Sequence, residues 1–273
     1  MVAGLDQIVA ATRSRVAEAK RSADLREIER RAQEHVPRGF RRALAARSLN
    51  GAAIIAELKK ASPSRGLIRA TFDAEYLAQE LETAGAAALS VLTDEEFFQG
   101  SLENLRRASD GTALPCLRKD FIVDEFQLLE ARANHGDAIL LIVAVLSQAE
   151  LVALAEKSRS LGLDVLCEAH DEAELRRAID AGCDLIGVNN RNLRTFKVDP
   201  QTTFQLAEMI PKDVIGVAES GIDKGEDIAR LRDAGYRAFL VGESLMKAQS
   251  PGETLRTLLA EAERVPSRAS VKN

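Results

Sequence analysis

A single (β/α)8 TIM barrel with an N-terminal helical extension is the fold this sequence predicts, on three observations. The chain has 273 residues, a length at which barrels of alternating strands and helices form one domain. After about fifty helix-favouring residues, short apolar runs rich in β-branched side chains alternate with longer segments of helical period. The runs number eight, beginning near Ala53, Ala87, Pro115, Ala138, Asp164, Asp184, Val214 and Ala238, with starts 20 to 34 residues apart. Each gap holds one crossover helix. Such alternation implies parallel strands joined by right-handed crossovers, and eight units suffice for closure. An open doubly wound sheet is the alternative, but it would place a glycine-rich dinucleotide turn after its first strand, and Ser62-Pro63-Ser64-Arg65-Gly66 is not that turn. Residues 1–273 are therefore expected to form one domain, of which about 1–50 are extra helices packed against one end of the barrel.

The elements carry their own punctuation. Asp73, Ser101 and Ser147 precede helical periods as N-caps, and Gly85, Gly136, Gly162, Gly182 and Gly235 follow them as C-terminal stops. In the first strand the two-residue period puts Ile55, Glu57 and Lys59 on one face and Ile54, Ala56 and Leu58 on the other. A carboxylate and an ammonium thus stand side by side where that strand ends. The other strands also end in polar residues: Thr93 and Asp94, Lys119 and Asp120, Glu168, then Asn189, Asn190 and Arg191, then Glu219 and Ser220, and Gly242. Only the fourth, Ala138 to Leu146, stays apolar. Parity aligns Leu166 with Glu168, Gly187 with Asn189, and Ile215 and Val217 with Glu219. Active sites of such barrels lie at the C-terminal strand ends, so these side chains are expected to converge on one mouth.

Composition narrows the function. Hydrophobic residues at 46% and charged residues at 29% describe a chain with a sizeable core. The longest apolar run, nine residues, is far short of the roughly 20 a membrane helix needs. The start, MVAGLDQIVAATRS, carries Asp6 inside its apolar stretch and does not read as a signal peptide, which makes the cytoplasm the expected location. A net charge of −5 argues against nucleic acid as a partner. Residues 1–50 hold eleven Lys or Arg against six Asp or Glu, a local +5 that reads as solvated amphipathic helices or, alternatively, as attraction for an anion. Cys116, Cys167 and Cys183 are widely spaced beside apolar segments and read as reduced core residues. His35, His135 and His170 have no partners at metal-ligand spacing, so no metal is expected and the chemistry falls to carboxylates, lysines and amides. The final SRASVKN has little apolar content and is expected to fray.

The segments AELKKASPSRG (56–66), SVLTDEEFFQGS (90–101), LRKDFIVDEFQ (117–127), LCEAH (166–170), IGVNNRNL (186–193), VAESGI (217–222) and FLVGESLM (239–246) resemble indole-3-glycerol-phosphate synthase, in that family's order and spacing. The likeness covers nearly the whole barrel. It implies a carboxy-lyase of tryptophan biosynthesis that closes the pyrrole ring of 1-(2-carboxyphenylamino)-1-deoxyribulose 5-phosphate with loss of CO2 and water. It implies no metal and no organic cofactor. Carried over residue by residue, it assigns the catalytic set to Glu57, Lys59, Lys119, Glu168, Asn189, Glu219 and Ser220.

The chemistry is compatible with that set. Ring closure protonates a ketone oxygen, for which Lys119 is the preferred general acid and Lys59 the alternative. An unperturbed lysine near 10.4 is a poor donor at neutral pH, so a lowered pKa is expected, with a dry cavity and the neighbouring Lys59 as the causes and nearby carboxylates opposing them. Glu168 is the expected base of the dehydration, and Glu219 an expected holder of Lys59. The substrate phosphate is expected near Ser62, Gly221, Gly242 and Glu243, where backbone N–H groups converge. Glu243 is an unusual phosphate neighbour, since some family members carry serine there. The anthranilate carboxylate is expected at Lys59 or Arg191, and its ring among Pro63, Phe98, Phe121 and Leu193. Pro63 has turn punctuation as its other reading, the phenylalanines core packing, and Arg191 a loop surface. The expected partner is thus a phosphorylated small molecule, with no membrane and no nucleic acid; a monomer is expected, a homodimer being the alternative. Competing functions are phosphoribosylanthranilate isomerase, a Schiff-base aldolase, and a catalytically silent barrel.

Overall fold

The computed structural model describes residues 4–265; the SRASVKN segment lies outside them. Three helices come first, α1 (Leu5–Ser22), α2 (Leu25–Glu34) and α3 (Phe40–Ser48). Eight strands follow, β1 (Ala53–Leu58), β2 (Ala88–Leu92), β3 (Cys116–Lys119), β4 (Ala138–Ile142), β5 (Asp164–Ala169), β6 (Leu185–Asn189), β7 (Ile215–Glu219) and β8 (Ala238–Val241). They form a closed parallel barrel in chain order, and β1 seals it by pairing with both β2 and β8, Ile55 opposite Ala88 and Ala53 opposite Ala238. The barrel is the expected one, with every strand beginning within one residue of its predicted start. A two-stranded hairpin, Ala61–Ser62 with Gly66–Leu67, projects from the end of β1.

Between the strands run α4 (Ala74–Thr83), α5 (Glu95–Phe98), α6 (Leu102–Asp110), α7 (Phe126–Ala133), α8 (Gln148–Ser160), α9 (Glu172–Asp180), α10 (Gln201–Leu206) and α11 (Gly225–Asp233), and α12 (Glu243–Lys247) and α13 (Pro251–Arg264) follow β8. The side chains of Asp73, Ser101 and Ser147 accept backbone N–H groups as N-caps of α4, α6 and α8. Four of the predicted glycine stops have left-handed backbone; at the fifth, His135 takes that conformation at φ 62° in place of Gly136.

Alternation along each strand builds two cores. Ile55, Leu117, Leu140, Leu166, Leu185, Ile215 and Val217 fill the barrel, while Ile54, Ala56, Leu58, Val91, Cys167 and Val188 face the helical layer. The extension does more than pack on one end. Phe40 and Leu44 of α3 are wholly buried against the strand starts Ala53, Ala138 and Ala238, closing the floor, whereas Leu5 and Ile8 of α1 join Leu140, Ile142 and Leu240 at the opposite mouth. Burying side chains of this size stabilises by about 1.5–3 kcal/mol each.

Its positive charge also finds a partner. Arg13 pairs with Glu150, Arg15 with Asp94, Lys20 with Asp124, Arg38 with Asp137 and Arg41 with Asp184, each a cation of the extension on an acid of the barrel. These five pairs strap the extension to the acidic barrel, while Arg30 pairs along α2 with Glu27 and Glu34, the exposed helical spacing that the sequence suggested. At the floor, buried Asp137 accepts from Arg38 Nη2 at 2.6 Å, His35 Nε2 at 3.0 Å and the Cys116 backbone N–H at 2.7 Å.

The cysteines require a correction. Cys167 and Cys183 form a disulfide with their Cα atoms 6.4 Å apart, and only Cys116 is free and buried, its thiol pushed up to about 12 by burial. A parallel crossover brings the start of the next strand back beside its predecessor, so sixteen residues of separation conceal adjacency.

Candidate active site

All sixteen residues that the sequence places in the site line one cavity of about 430 Å3 at the C-terminal ends of the strands. The strand ends supply Glu57, Lys119, Glu168, Asn189 and Glu219; the loops beyond them supply Lys59, Ser62, Pro63, Phe98, Phe121, Arg191, Leu193, Ser220, Gly221, Gly242 and Glu243. Sequence reasoning missed Leu5 and Ile8, which roof the cavity from α1, and Phe196 and Val198 from the loop after β6. The sequence suggested helices packed on one end of the barrel but not which side chains would cover the mouth. Asp94 also lines the mouth and holds Arg15 at 2.9 Å, tying that roof to β2. Two other polar strand ends serve structure: Thr93 donates to Asp120 at 2.7 Å, and Asp120 pairs with buried Arg118.

The ionic centre is built from β3, β5 and β7. Lys119 Nζ donates to Glu168 Oε2 at 2.7 Å and to Glu219 Oε2 at 2.8 Å, all three side chains being nearly inaccessible. Lys59 meets Glu57 Oε1 at 2.5 Å, so Glu219 holds Lys119 and not the expected Lys59. This changes the electrostatics. Burial would lower the Lys119 pKa, but the charges of Glu168, Glu219 and Glu57 outweigh it and raise the ammonium above the usual lysine range. The expected lowering is therefore absent, because the carboxylates around Lys119 override desolvation. Burial pushes Glu219 up to about 8, with Glu168 adding to the rise and Lys119 opposing it. Burial acts the same way on Glu168, yet Lys119 and His170 prevail and hold it well below the ordinary carboxylate range. The two carboxylates on Lys119 are thus pushed in opposite directions, Glu168 toward the ionised base and Glu219 toward the protonated acid, a division suited to acid–base work.

Two glycines make room for these groups. A Cβ on Gly187 would run into Glu219 Oε1, and one on Gly242 into the Glu57 carboxylate. Gly187→Ala is expected to displace Glu219 from Lys119 and to lower kcat about a hundredfold, with the thermal midpoint little changed, as steady-state kinetics beside a melting curve would show. Past β7 the backbone turns through Ser220 at φ 65° and Gly221 at φ 75°, and Asn190 Nδ2 fixes the turn by donating to the Ser220 carbonyl at 3.0 Å. A left-handed serine carries strain of the kind that gathers at functional sites. Glu243 sits among Arg65 at 3.0 Å, Arg191 at 3.3 Å and Lys247 at 2.6 Å, so three cations gather where the phosphate is expected.

Residues 5–258 match the Indole-3-glycerol phosphate synthase family. The chain belongs to that family. A protein of Koribacter versatilis named indole-3-glycerol phosphate synthase is 60% identical over 259 residues, covering 95% of this chain and 100% of that one. One of the same name from Burkholderia ambifaria is 49% identical, covering 92% and 97%. Among solved structures, KGPDC from Streptococcus mutans superposes with a TM-score of 0.60 at 10% identity, over 79% of this chain and 99% of that one, a likeness of fold alone. Against the indole-3-glycerol phosphate synthase family, the ionic centre and the cationic rim occupy the segments that the sequence motifs singled out.

Proposed function

We infer that this cavity performs indole-3-glycerol phosphate synthesis: ring closure, decarboxylation and dehydration of 1-(2-carboxyphenylamino)-1-deoxyribulose 5-phosphate, a step of tryptophan biosynthesis. The observation that carries the residue roles is the Lys119 ammonium held between Glu168 and Glu219 at the barrel mouth. The aromatic carbon bearing the carboxylate attacks the ketone carbon, and the ketone oxygen takes a proton. Lys119 donates that proton, and the upward shift of Glu219 lessens the negative charge that holds the ammonium. Loss of CO2 returns the bonding electrons to the ring. The new hydroxyl then departs as water with a second proton, from Lys59 or Lys119, while Glu168 removes a proton from the adjacent carbon and the pyrrole becomes aromatic. Arg191, Arg65 and Lys247 ring Glu243 where Ser62, Gly221 and Gly242 would meet the phosphate, so substrate binding exchanges one anionic partner for another. Pro63, Phe98, Phe121 and Leu193 form the wall for the aromatic ring, with Asn189 orienting it. A monomer and a cytoplasmic location complete this reading.

Indole absorbance appearing on mixing protein and substrate in a chelator-containing buffer tests the assignment; its absence from folded protein that binds substrate would overturn it. The competing barrel chemistries fit less well. A Schiff-base aldolase needs a neutral amine, whereas Lys119 is held charged, so borohydride is expected to trap no substrate on Lys119. An isomerase using a cysteine acid–base pair is disfavoured because Cys167 faces the helical layer and is bonded to Cys183.

A further inference from the structure

One buried titratable group touches the centre without a part in the steps above. His170 immediately follows β5, two residues beyond Glu168, and only 11% of its side chain is exposed. Glu174, in the first turn of α9, fixes the ring: its Oε2 accepts both the His170 backbone N–H and Nδ1, each at 2.9 Å. The Asp171 side chain caps the same turn by accepting the Glu174 backbone N–H at 2.9 Å, so the carboxylate that steers the imidazole is itself anchored. The other nitrogen, Nε2, lies 3.3 Å from Glu168 Oε1, yet it is buried and makes no directed hydrogen bond. Such an orphaned buried donor is costly unless charge compensates it.

We propose that His170, steered by Glu174, is a positioning residue whose imidazolium charge keeps Glu168 ionised and facing the cavity as the base of the dehydration step. The inference rests on the reading of Glu168 given above. Its geometry is specific. Lys119 binds Oε2 of Glu168, so His170 addresses the other oxygen, and the carboxylate lies between two cations on opposite sides. When substrate engages Lys119, His170 is the cation left to Glu168. The off-line approach of Nε2 gives Glu168 an electrostatic partner without locking Oε1 in a hydrogen bond, leaving that oxygen free to accept a proton. The charged groups facing the pair are Lys119 from β3, Glu219 from β7 and Glu174 from α9. Burial opposes the imidazolium, but Glu168 and Glu174 together raise it to about 10, so it stays charged through the range in which Glu168 must be ionised.

The experiment is the pH profile of kcat for His170→Gln and, because that imidazole is also packed into the structure, for Glu174→Gln as well, with Glu168→Gln as control. Loss of the charge raises the Glu168 pKa. The acidic limb is then expected to move up by about one unit, so that kcat below it falls roughly tenfold and recovers at alkaline pH, with KM unchanged. A structural role would lower the rate equally at every pH, and that result overturns the proposal. So does an unmoved acidic limb in both variants while Glu168→Gln is inactive, an outcome that leaves the base assignment intact. Full turnover by Glu168→Gln would instead remove the base assignment and this inference with it.

Discussion

Lys119→Ala is expected to lower kcat by about 10²- to 10⁴-fold, the range typical of a lost general acid, while leaving the protein folded. The fold survives because the truncation removes a cation from between two carboxylates that can adjust. Glu219 is already raised to about 8, so without Lys119 the pair keeps one shared proton at neutral pH and does not leave two buried charges opposed. The loss should be in kcat, since the phosphate and the aromatic ring are bound by other groups. Single-turnover kinetics at saturating substrate, beside a thermal melt, separates the two effects. A folded variant with the parent rate would remove Lys119 from the chemistry and transfer the ring-closure proton to Lys59.

Asp137→Ala is expected to destabilise the protein by about 3–5 kcal/mol, the cost of breaking a buried ion pair by removing one partner. The side chain is wholly buried at the floor, far from the mouth, and its removal takes the anion from the Arg38 guanidinium, which keeps only the neutral acceptors of Ser109 and Thr112, and leaves His35 Nε2 and the Cys116 N–H without their acceptor. Burial would raise the Asp137 pKa, but His35 and Arg38 outweigh it and hold it below the ordinary range. A carboxylate depressed in the folded state contributes stability that is present above its unfolded value of about 3.9 and is lost as pH falls through the folded one. Urea unfolding at neutral pH should show the full difference between parent and variant, and the two should converge in strong acid. Equal midpoints at neutral pH would show that the latch is energetically silent.

The barrel was legible because a two-residue period inside each apolar run fixes which residues face inward, and parallel strands put their C-terminal ends together. Glu57, Glu168 and Glu219 could be placed in one mouth on that basis alone. Parity cannot say which neighbour a side chain chooses, so Glu219 was paired with Lys59 when it reaches Lys119. The sign of the Lys119 shift was illegible for a related reason, as burial and nearby carboxylates oppose each other and only the structure shows that three carboxylates together outweigh the desolvation. Leu5 and Ile8 look like the apolar stripe of any amphipathic helix; only the docked structure makes them a roof. His170 was set aside for lacking a metal partner, although its spacing to Glu174 is one helical turn and Glu168 is two residues back along the strand.

The path of the extension orders events during synthesis. Residues before Ala53 leave the ribosome first, yet the pocket that receives Phe40 and Leu44 includes Ala238, and the wall that meets Leu5 and Ile8 includes Leu240, both on the strand made last. Until β8 emerges and joins β1, neither the roof nor the floor has a complete seat. The segment translated first thus has the seat that is completed last, and the reaction chamber is enclosed only with both of its ends in place.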